Sequence, residues 1–442
     1  MNILLIGNGA REHAIAEAVM RSHNSPVLFA YMKSNNPGIA ALAERSFLGD
    51  YHDLQAIKEW AQQNAIHFAI VGPEDPLQHG VADALQEAGI PTVGPTKSLA
   101  RLETSKAFTR NLLAKYQIPG NPRFANFTSP AGIEAFLAEM EGVVIKPDGL
   151  TGGKGVMVQG DHFSSRKEAF AICIAVLAEH GSVTVEEKLE GEEFSLQCLT
   201  DGKTVVATPP VQDHKRRFNG DRGPNTGGMG SYSCADHLLP FLERRDIEAG
   251  LAITEQVAEA IYRETGTYYR GVMYGGFMIT KNGLRLLEYN ARFGDPEAMN
   301  ILPLLKTDLL DICRALLEGS LGGLRVEFAA KATVCKYIVP ETYGLAGDSG
   351  AASPEPGRIE IGPLDGARLY YSSVDKRDDG LYMTSSRSIG VVGIAENLEE
   401  AEAIAERGTA AVRGAVSHRS DIGTRALIEK RVRHIEELRG LR

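Results

Sequence analysis

The sequence predicts an α/β protein with an open parallel sheet at the N-terminus, a mixed unit in the middle and a small mixed α+β unit at the C-terminus. Three observations carry this. Short apolar runs alternate with helical stretches through the N-terminal third, the pattern of parallel strands joined by crossover helices. Glycine-rich turns follow strands at Gly7-Asn8-Gly9 and Gly149–Gly155. From about Val326 the pattern shortens into strands and turns with one helix. At 442 residues, roughly 150 per domain gives about three domains. They are placed at 1–102, 103–326 and 327–442, with a mobile lid at about 122–190.

Taken in order, Asn2–Ile6 is an apolar run that ends in glycines and feeds a helix over Arg11–Met20. Val27–Tyr31 and His67–Val71 are further strands, the latter ending at Gly72-Pro73-Glu74-Asp75-Pro76. Val81–Ala88 reads as helix and Pro91–Pro95 as strand and turn. Ligands of open parallel sheets bind beyond the carboxyl ends of the strands, so Gly7–His13 and Gly72–Leu77 share one rim. One helix is expected from Ser98 to Tyr116, ended by Ile118-Pro119-Gly120. Val143–Val158 reads as a hairpin around the second glycine-rich turn, and Val183–Leu189 as a strand. Residues 207–233 are rich in glycine, proline, asparagine and charge, and read as a long functional loop. A helix over Pro240–Glu264, strands over Gly271–Ile279 and Gly283–Asn290, and helices over Asp308–Glu318 and Leu398–Val412 complete the pattern.

Composition narrows the function. Hydrophobic residues at 43% and charged residues at 24% describe an ordinary globular chain, not a disordered, collagenous or disulfide-scaffold one. No window approaches a membrane span of roughly 18 apolar residues, and Met1–Gly7 lacks the basic head of a signal peptide. A net charge of -10 argues against a broad nucleic-acid surface but leaves room for a local basic cluster. Cys173, Cys198, Cys234, Cys313 and Cys335 are odd in number and form no C-x-x-C pair. They indicate neither a cysteine zinc site nor a disulfide framework, and the expected compartment is the reduced cytoplasm.

Several motifs carry chemistry. Gly7-Asn8-Gly9-Ala10-Arg11-Glu12 nearly matches the dinucleotide fingerprint, but Glu12 replaces the third glycine and no acid ends the next strand to hold a ribose. That disfavours a nicotinamide cofactor. A tight turn and a helix N-terminus that holds a phosphate both remain open. Gly149–Gly155 is not a Walker A loop, because Gly155 stands where Ser or Thr must bind magnesium. A plain flexible hairpin is the bland alternative. A hairpin that closes over a triphosphate fits better, with Lys154 in the turn and Lys146 on the strand before it. Glu186–Glu193 could be a solvated charge run, yet it ends a strand, where carboxylates can meet an adenine edge and ribose hydroxyls. Glu288 and Asn290 point to one face of a strand, a pair of oxygen ligands suited to magnesium, although a surface strand edge would look the same. Arg292 continues that face and could clamp a phosphoryl group. Gln212–Arg217 and Gly223–Gly230 place a basic cluster beside a glycine-rich loop, which suits a small phosphate-bearing substrate. No G-x-S-x-G motif supports a hydrolytic triad.

Together these pieces resemble the ATP-grasp superfamily. Within it they are similar to the phosphoribosylamine–glycine ligase family. The matching residues are Gly7–His13, Gly72–Leu77, Ser105-Lys106, Val144–Lys146, Gly153–Gly155, Gly191–Glu193, Gln212–Arg216, Gly223–Gly230, Glu288–Pro296 and, near the end, Asp421–Thr424. The resemblance implies an ATP-grasp fold and a monofunctional enzyme that joins glycine to 5-phospho-β-D-ribosylamine at the expense of ATP, through glycyl phosphate. It implies ATP as co-substrate with Mg²⁺ or Mn²⁺, and small-molecule partners rather than nucleic acid or membrane, in a monomer or homodimer. It puts Lys106, Lys146, Gly153 and Lys154 on the phosphates, Glu186 and the Leu189 backbone at adenine, and Glu193 at the ribose. Glu288 and Asn290 take the metal. Gly9, Asp213, Lys215, Arg216, Asn225, Gly228, Arg292 and Asp295 take the glycine and ribosylamine, with Arg292, Lys154 and Asp213 as catalytic groups. Pro147, Gly152, Lys188 and Glu297–Asn300 depart from the common pattern.

Other classes stay in view: a different ATP-grasp ligase or carboxylase of nucleotide metabolism, an oxidoreductase on the N-terminal fold, and a nucleotide sensor without catalysis. Glu12 speaks against the oxidoreductase. The set Lys146, Lys154, Glu288, Asn290 and Arg292 speaks against the sensor.

Overall fold

The computed structural model describes residues 1–150, 155–345 and 357–440. At the N-terminus five strands pair in parallel in the order Arg45–Leu48, Val27–Met32, Asn2–Ile6, Phe68–Val71 and Thr92–Val93. Strand order reverses at Asn2–Ile6, so the crevice of this doubly wound sheet opens between its carboxyl end and that of Phe68–Val71. Gly7 and Gly72 follow these two strands and stand side by side there. The outer strand Arg45–Leu48 is exposed along its length, so no apolar run marks it in the sequence.

The middle of the chain holds two antiparallel sheets. One orders Val205–Ala207, Glu192–Thr200, Gly271–Thr280 and Gly283–Asn290, and the helix Arg244–Thr265 packs on it. The other orders Phe124–Phe127, Val183–Glu187, Val143–Pro147 and Met157–Val158, with helices Ile133–Ala138 and Arg166–His180. This second sheet has a core of its own around Ile133, Ile145, Cys173 and Val185, separate from the main hydrophobic core. The expected helix over Ser98–Tyr116 is two helices, Lys97–Thr104 and Lys106–Lys115. Ser105 divides them, because its side chain caps the second by accepting from the Phe108 amide at 3.1 Å, the standard N-cap bond. Lys106 thereby opens a helix, where the macrodipole disfavours a cation.

Residues 207–233 are more regular than the expected loop. They include the strands Gln212–Asp213, Arg216–Phe218, Arg222–Asn225 and Gly230–Ser233. Gly230–Ser233 pairs with Ala332–Pro340, so the C-terminal sheet runs Gln212–Asp213, Gly230–Ser233, Ala332–Pro340, Ile389–Ala395, Arg368–Tyr371. One contiguous core runs from Ile3 through Phe277 to Ile435. The C-terminal region is therefore built onto the centre. Its last helix, Arg425–Leu438, buries only Leu427 and Ile435 fully, too sparse a stripe to announce itself by periodicity. Among the described residues no helix is long and apolar enough to cross a membrane.

Candidate active site

A cleft of about 640 Å³ opens between the two central sheets and is closed at its far end by the N- and C-terminal regions. Its shape begins with a bulge. Gly276 pairs with Glu288 but Phe277 pairs with Leu286, which leaves Leu287 as an extra residue. A bulge breaks strict alternation and re-aims side chains, so Leu287, Glu288 and Asn290 all line the cleft. Val144, Val156, Val158, Leu189, Met278 and Leu287 form an apolar slot at one end, of the kind that takes a flat heterocycle.

Beside that slot the charges are arranged around Glu186. Its carboxylate is buried and accepts two bonds from Arg110, Nε to Oε1 at 2.7 Å and Nη2 to Oε2 at 2.9 Å. Lys146 Nζ lies 2.9 Å from Oε2 and also donates to the Leu287 carbonyl at 3.1 Å. Burial by itself would raise the Glu186 pKa, but Arg110 and Lys146 reverse that and hold it at about 2. The side chain of Glu186 thus pairs with the two cations while it lines the cleft. Its task is to hold Lys146 at the cleft wall. Lys106 donates to the Gly149 carbonyl at the base of the glycine-rich turn. Burial, together with nearby Lys146, lowers its pKa. Gly153 and Lys154 lie outside the described residues.

Arg292 stands at the junction with the N-terminal sheet. Its Nε donates to Glu74 at 3.1 Å and its Nη2 lies 2.9 Å from Glu103. Glu103 also accepts from the Ala291 amide at 2.7 Å. Burial raises the Glu103 carboxyl, whereas Arg292 and Arg11 overcome burial at Glu74 and hold it at about 2. The guanidinium is fixed in plane by both acids and faces the cleft.

The opposite wall comes from 212–233 and the C-terminal region. Asp213 lines the cleft next to Lys215, Arg216 and Asn225. Burial, reinforced by Glu297, pushes its carboxyl well up. Lys215 Nζ lies 3.3 Å from Glu193 and 4.0 Å from Glu288. Arg216 pairs with Asp161, in the turn after Met157–Val158, and donates to the Gly223 carbonyl at 3.0 Å, so it bridges this wall and the second central sheet. Gly228 does not line the cleft. At φ +105°, a Cβ there would meet Asp213 Oδ1 at 2.8 Å, so glycine lets the loop close on that carboxylate. Asp295 accepts from Tyr337 and from Arg387 Nη2 at 3.1 Å. Arg387 also donates to the carbonyls of Gly227 at 2.5 Å and Asp295 at 3.0 Å and stacks on Tyr337, 4.5 Å from the ring centre.

The first turn, Gly7–Glu12, answers the dinucleotide question. Glu12 folds back and accepts from the Gly9 amide at 2.6 Å and from Arg11 Nε at 2.5 Å. A Cβ on Gly7 or on Gly72 would stand 2.3 Å from the Glu12 side chain. The glycines make room for a buried carboxylate that occupies the amide where a pyrophosphate would sit, so this helix start is not a phosphate site. Gly9 spends its N–H on Glu12 and does not line the cleft.

The sequence missed Arg110, Glu103, Arg387 and Arg431, all of which line the cleft. Arg110 and Glu103 sit in helices and Arg387 in a turn, positions where a charged residue is ordinary, so no local signal marks them. Among the departures, Lys188 donates to the Gln159 carbonyl at 2.7 Å, Glu297 accepts from Tyr274 at 2.7 Å, and Asn300 is buried against Ser231 and Thr333.

The donor set fits a hard divalent cation. Glu288 meets only Lys215, at 4.0 Å, among the described residues. Burial opposes its charge, yet Lys215, Lys146 and Lys106 pull its pKa below the usual carboxylate range. It therefore offers an ionised, uncommitted oxygen beside the amide of Asn290, as magnesium or manganese requires.

Residues 1–103 match the family model for the N domain of phosphoribosylglycinamide synthetase, and residues 104–298 match the model for its ATP-grasp (A) domain. The chain is 48% identical over 441 residues to the phosphoribosylamine–glycine ligase of Methanosarcina barkeri, covering 100% of both chains. It is 47% identical over 452 residues to that of Methanopyrus kandleri, again covering 100% of both. Among solved structures, a phosphoribosylamine–glycine ligase from Thermotoga maritima superposes with a TM-score of 0.79 at 26% identity, covering 96% of this chain and 100% of that one. The biotin carboxylase domain of the Hydrogenobacter thermophilus 2-oxoglutarate carboxylase, solved with MgADP and bicarbonate, gives 0.71 at 15% identity, covering 99% and 97%. The latter shares the fold alone.

Proposed function

The chain belongs to the phosphoribosylglycinamide synthetase family, with an ATP-grasp fold, and from this premise we propose how its cleft joins glycine to phosphoribosylamine. The chain is an ATP-dependent phosphoribosylamine–glycine ligase of purine biosynthesis. The observation that carries the residue assignment is the convergence of Lys106, Lys146, Glu288, Asn290 and Arg292 with Asp213 and Lys215 on one cleft.

Adenine enters the apolar slot beside Leu189, with Glu193 reaching the ribose. Lys106 and Lys146 meet the phosphates, joined by Gly153 and Lys154 of the lid turn. Glu288 and Asn290 would hold Mg²⁺ or Mn²⁺, which when bound would supply positive charge to offset that of the phosphates. A glycine carboxylate oxygen attacks the γ-phosphorus and ADP leaves, which gives glycyl phosphate. The ribosylamine nitrogen then attacks the acyl carbon, phosphate departs and the amide forms. Arg292, held rigid by Glu74 and Glu103, meets the phosphoryl oxygens as charge develops. Asp213, a stronger base for its raised pKa, takes the proton that the amine loses. Lys215, Arg216, Asn225 and Asp295 frame the acceptor, while Gly228, behind that wall, lets the loop close on Asp213 and Gly9 holds Glu12 in the adjoining turn. Positioning and charge neutralisation supply the rate.

The domains are taken as 1–102, 103–326 and 327–442. The segment 122–190 is taken as a lid, because its sheet owns a core apart from the rest. The enzyme is further proposed to act on small molecules, without nucleic acid or membrane, as a cytoplasmic monomer or homodimer. The deciding experiment measures phosphate release from ATP with freshly generated phosphoribosylamine. Release should require both glycine and ribosylamine. Turnover with bicarbonate or another carboxylate and indifference to glycine would overturn the reading.

A further inference from the structure

Outside the cleft, His52, Asp75 and His79 come together on the N-terminal unit. His52 lies in the loop before the helix Leu54–Gln63, and Asp75 and His79 stand four apart on Glu74–His79. His52 Nε2 is 3.3 Å from Asp75 Oδ1, and His79 Nδ1 is 3.2 Å from the same oxygen. The two rings stack with centres 3.6 Å apart at 29°. One ligand atom from each residue can be chosen so that all lie within 4.8 Å of one another, and none of the three lines the cleft.

We propose that His52, Asp75 and His79 form a binding site for a zinc-type transition-metal ion. Zinc bonds of about 2.0–2.1 Å in a tetrahedron set ligand atoms about 3.3–3.4 Å apart, and both nitrogen–oxygen separations here match that edge to within about 0.2 Å. Two imidazoles and a carboxylate are a borderline-soft set that favours zinc over magnesium. Side chains 45%, 41% and 39% exposed leave the fourth position open to water. Asp50, 3.9 Å from His52 Nδ1, adds outer negative charge of the sort that orients a ligating imidazole. Ligation through His79 Nδ1 breaks the bond that this nitrogen donates to the Asp75 carbonyl at 2.9 Å, and the ring carries its proton on Nε2 instead, exchanged through solvent, so the ligand is a neutral imidazole. The site sits one residue from Glu74, the acid that holds Arg292.

Equilibrium dialysis of the full chain against micromolar zinc, with millimolar magnesium present and ATP absent, tests this. The expected result is one zinc per chain and at least tenfold weaker binding in His52→Ala/His79→Ala. Cobalt(II) should give the intense visible absorption of a tetrahedral site in the wild type and lose it in the variant. The exposed His23, Asp308 and Asp311 form a second cluster, so His23→Ala is the control and should bind zinc as the wild type does. No zinc uptake by the wild type, unchanged affinity in the double variant, or loss in His23→Ala overturns the assignment. A thermal melt checks that the variants are folded.

Discussion

At the scale of single residues, the cleft works because its charges are held by other charges. Arg110 is fully enclosed and gives Glu186 both of its forked bonds. Arg110→Ala leaves a buried carboxylate with Lys146 as its one cationic partner among the described residues, and the expected loss is about 3–5 kcal/mol, read in a denaturant melt. Glu288 is the opposite case. Among the described residues its side chain pairs only with Lys215, at 4.0 Å, so Glu288→Ala should stay within about 0.5 kcal/mol of wild-type stability while glycine-dependent phosphate release disappears. Wild-type turnover in that variant would remove the metal assignment. Arg292→Lys keeps the charge but loses the planar fork that Glu74 and Glu103 clasp. Its kcat should fall by roughly 10²–10³ with a smaller change in the KM for ATP, as steady-state kinetics would show.

Elements matter through their junctions. Ser105 ends one helix, caps the next and donates to Asp148 Oδ2 at 3.0 Å, at the base of the glycine-rich turn. One side chain thus sets both the start of the helix and the direction of Lys106. Ser105→Ala should cost about 1 kcal/mol and raise the KM for ATP more than it lowers kcat. An unchanged KM would separate the cap from nucleotide binding. The strands Gly271–Thr280 and Gly283–Asn290 were legible, and so was the shared face of Glu288 and Asn290. The bulge at Leu287 was not, since it arises from pairing with Gly276 across the sheet and leaves no local mark. The strand Gly230–Ser233 was hidden for a related reason: its partner Ala332–Pro340 lies about a hundred residues on.

For the molecule as a whole, buried histidines sit where its regions meet, and His13 ties the N-terminal region to the C-terminal one. His13 Nδ1 accepts from the Tyr371 amide at 3.0 Å, and its ring stacks on Tyr371. His214 stacks on Tyr232 in the strand that joins the centre to the C-terminal sheet. Burial lowers both pKa values to about 4. Between about 6.5, the unfolded value, and about 4 the unfolded chain binds more protons than the folded one, so stability rises with pH across this window. Stability should be full above the upper limit and fall by an amount on the order of 3 kcal/mol per histidine towards the lower one. His13→Gln should flatten part of that slope in melts across pH. Arg387 carries the C-terminal contribution to the cleft. Arg387→Ala should raise the KM for ribosylamine more than that for ATP, because the Gly227–Gly228 turn and Asp295 lose their common donor.

Local chemistry was enough to read the parallel N-terminal sheet, the lysine-bearing hairpin and the oxygen pair on one strand, because strand alternation, glycine turns and caps act between near neighbours in the chain. Only the folded chain decided that Glu12 would fill its own turn, that Glu186 would pair with Arg110 and Lys146, and that Arg110, Glu103 and Arg387 would reach the cleft. These outcomes depend on which charge is buried beside which, and desolvation makes that pairing compulsory only once distant segments have packed.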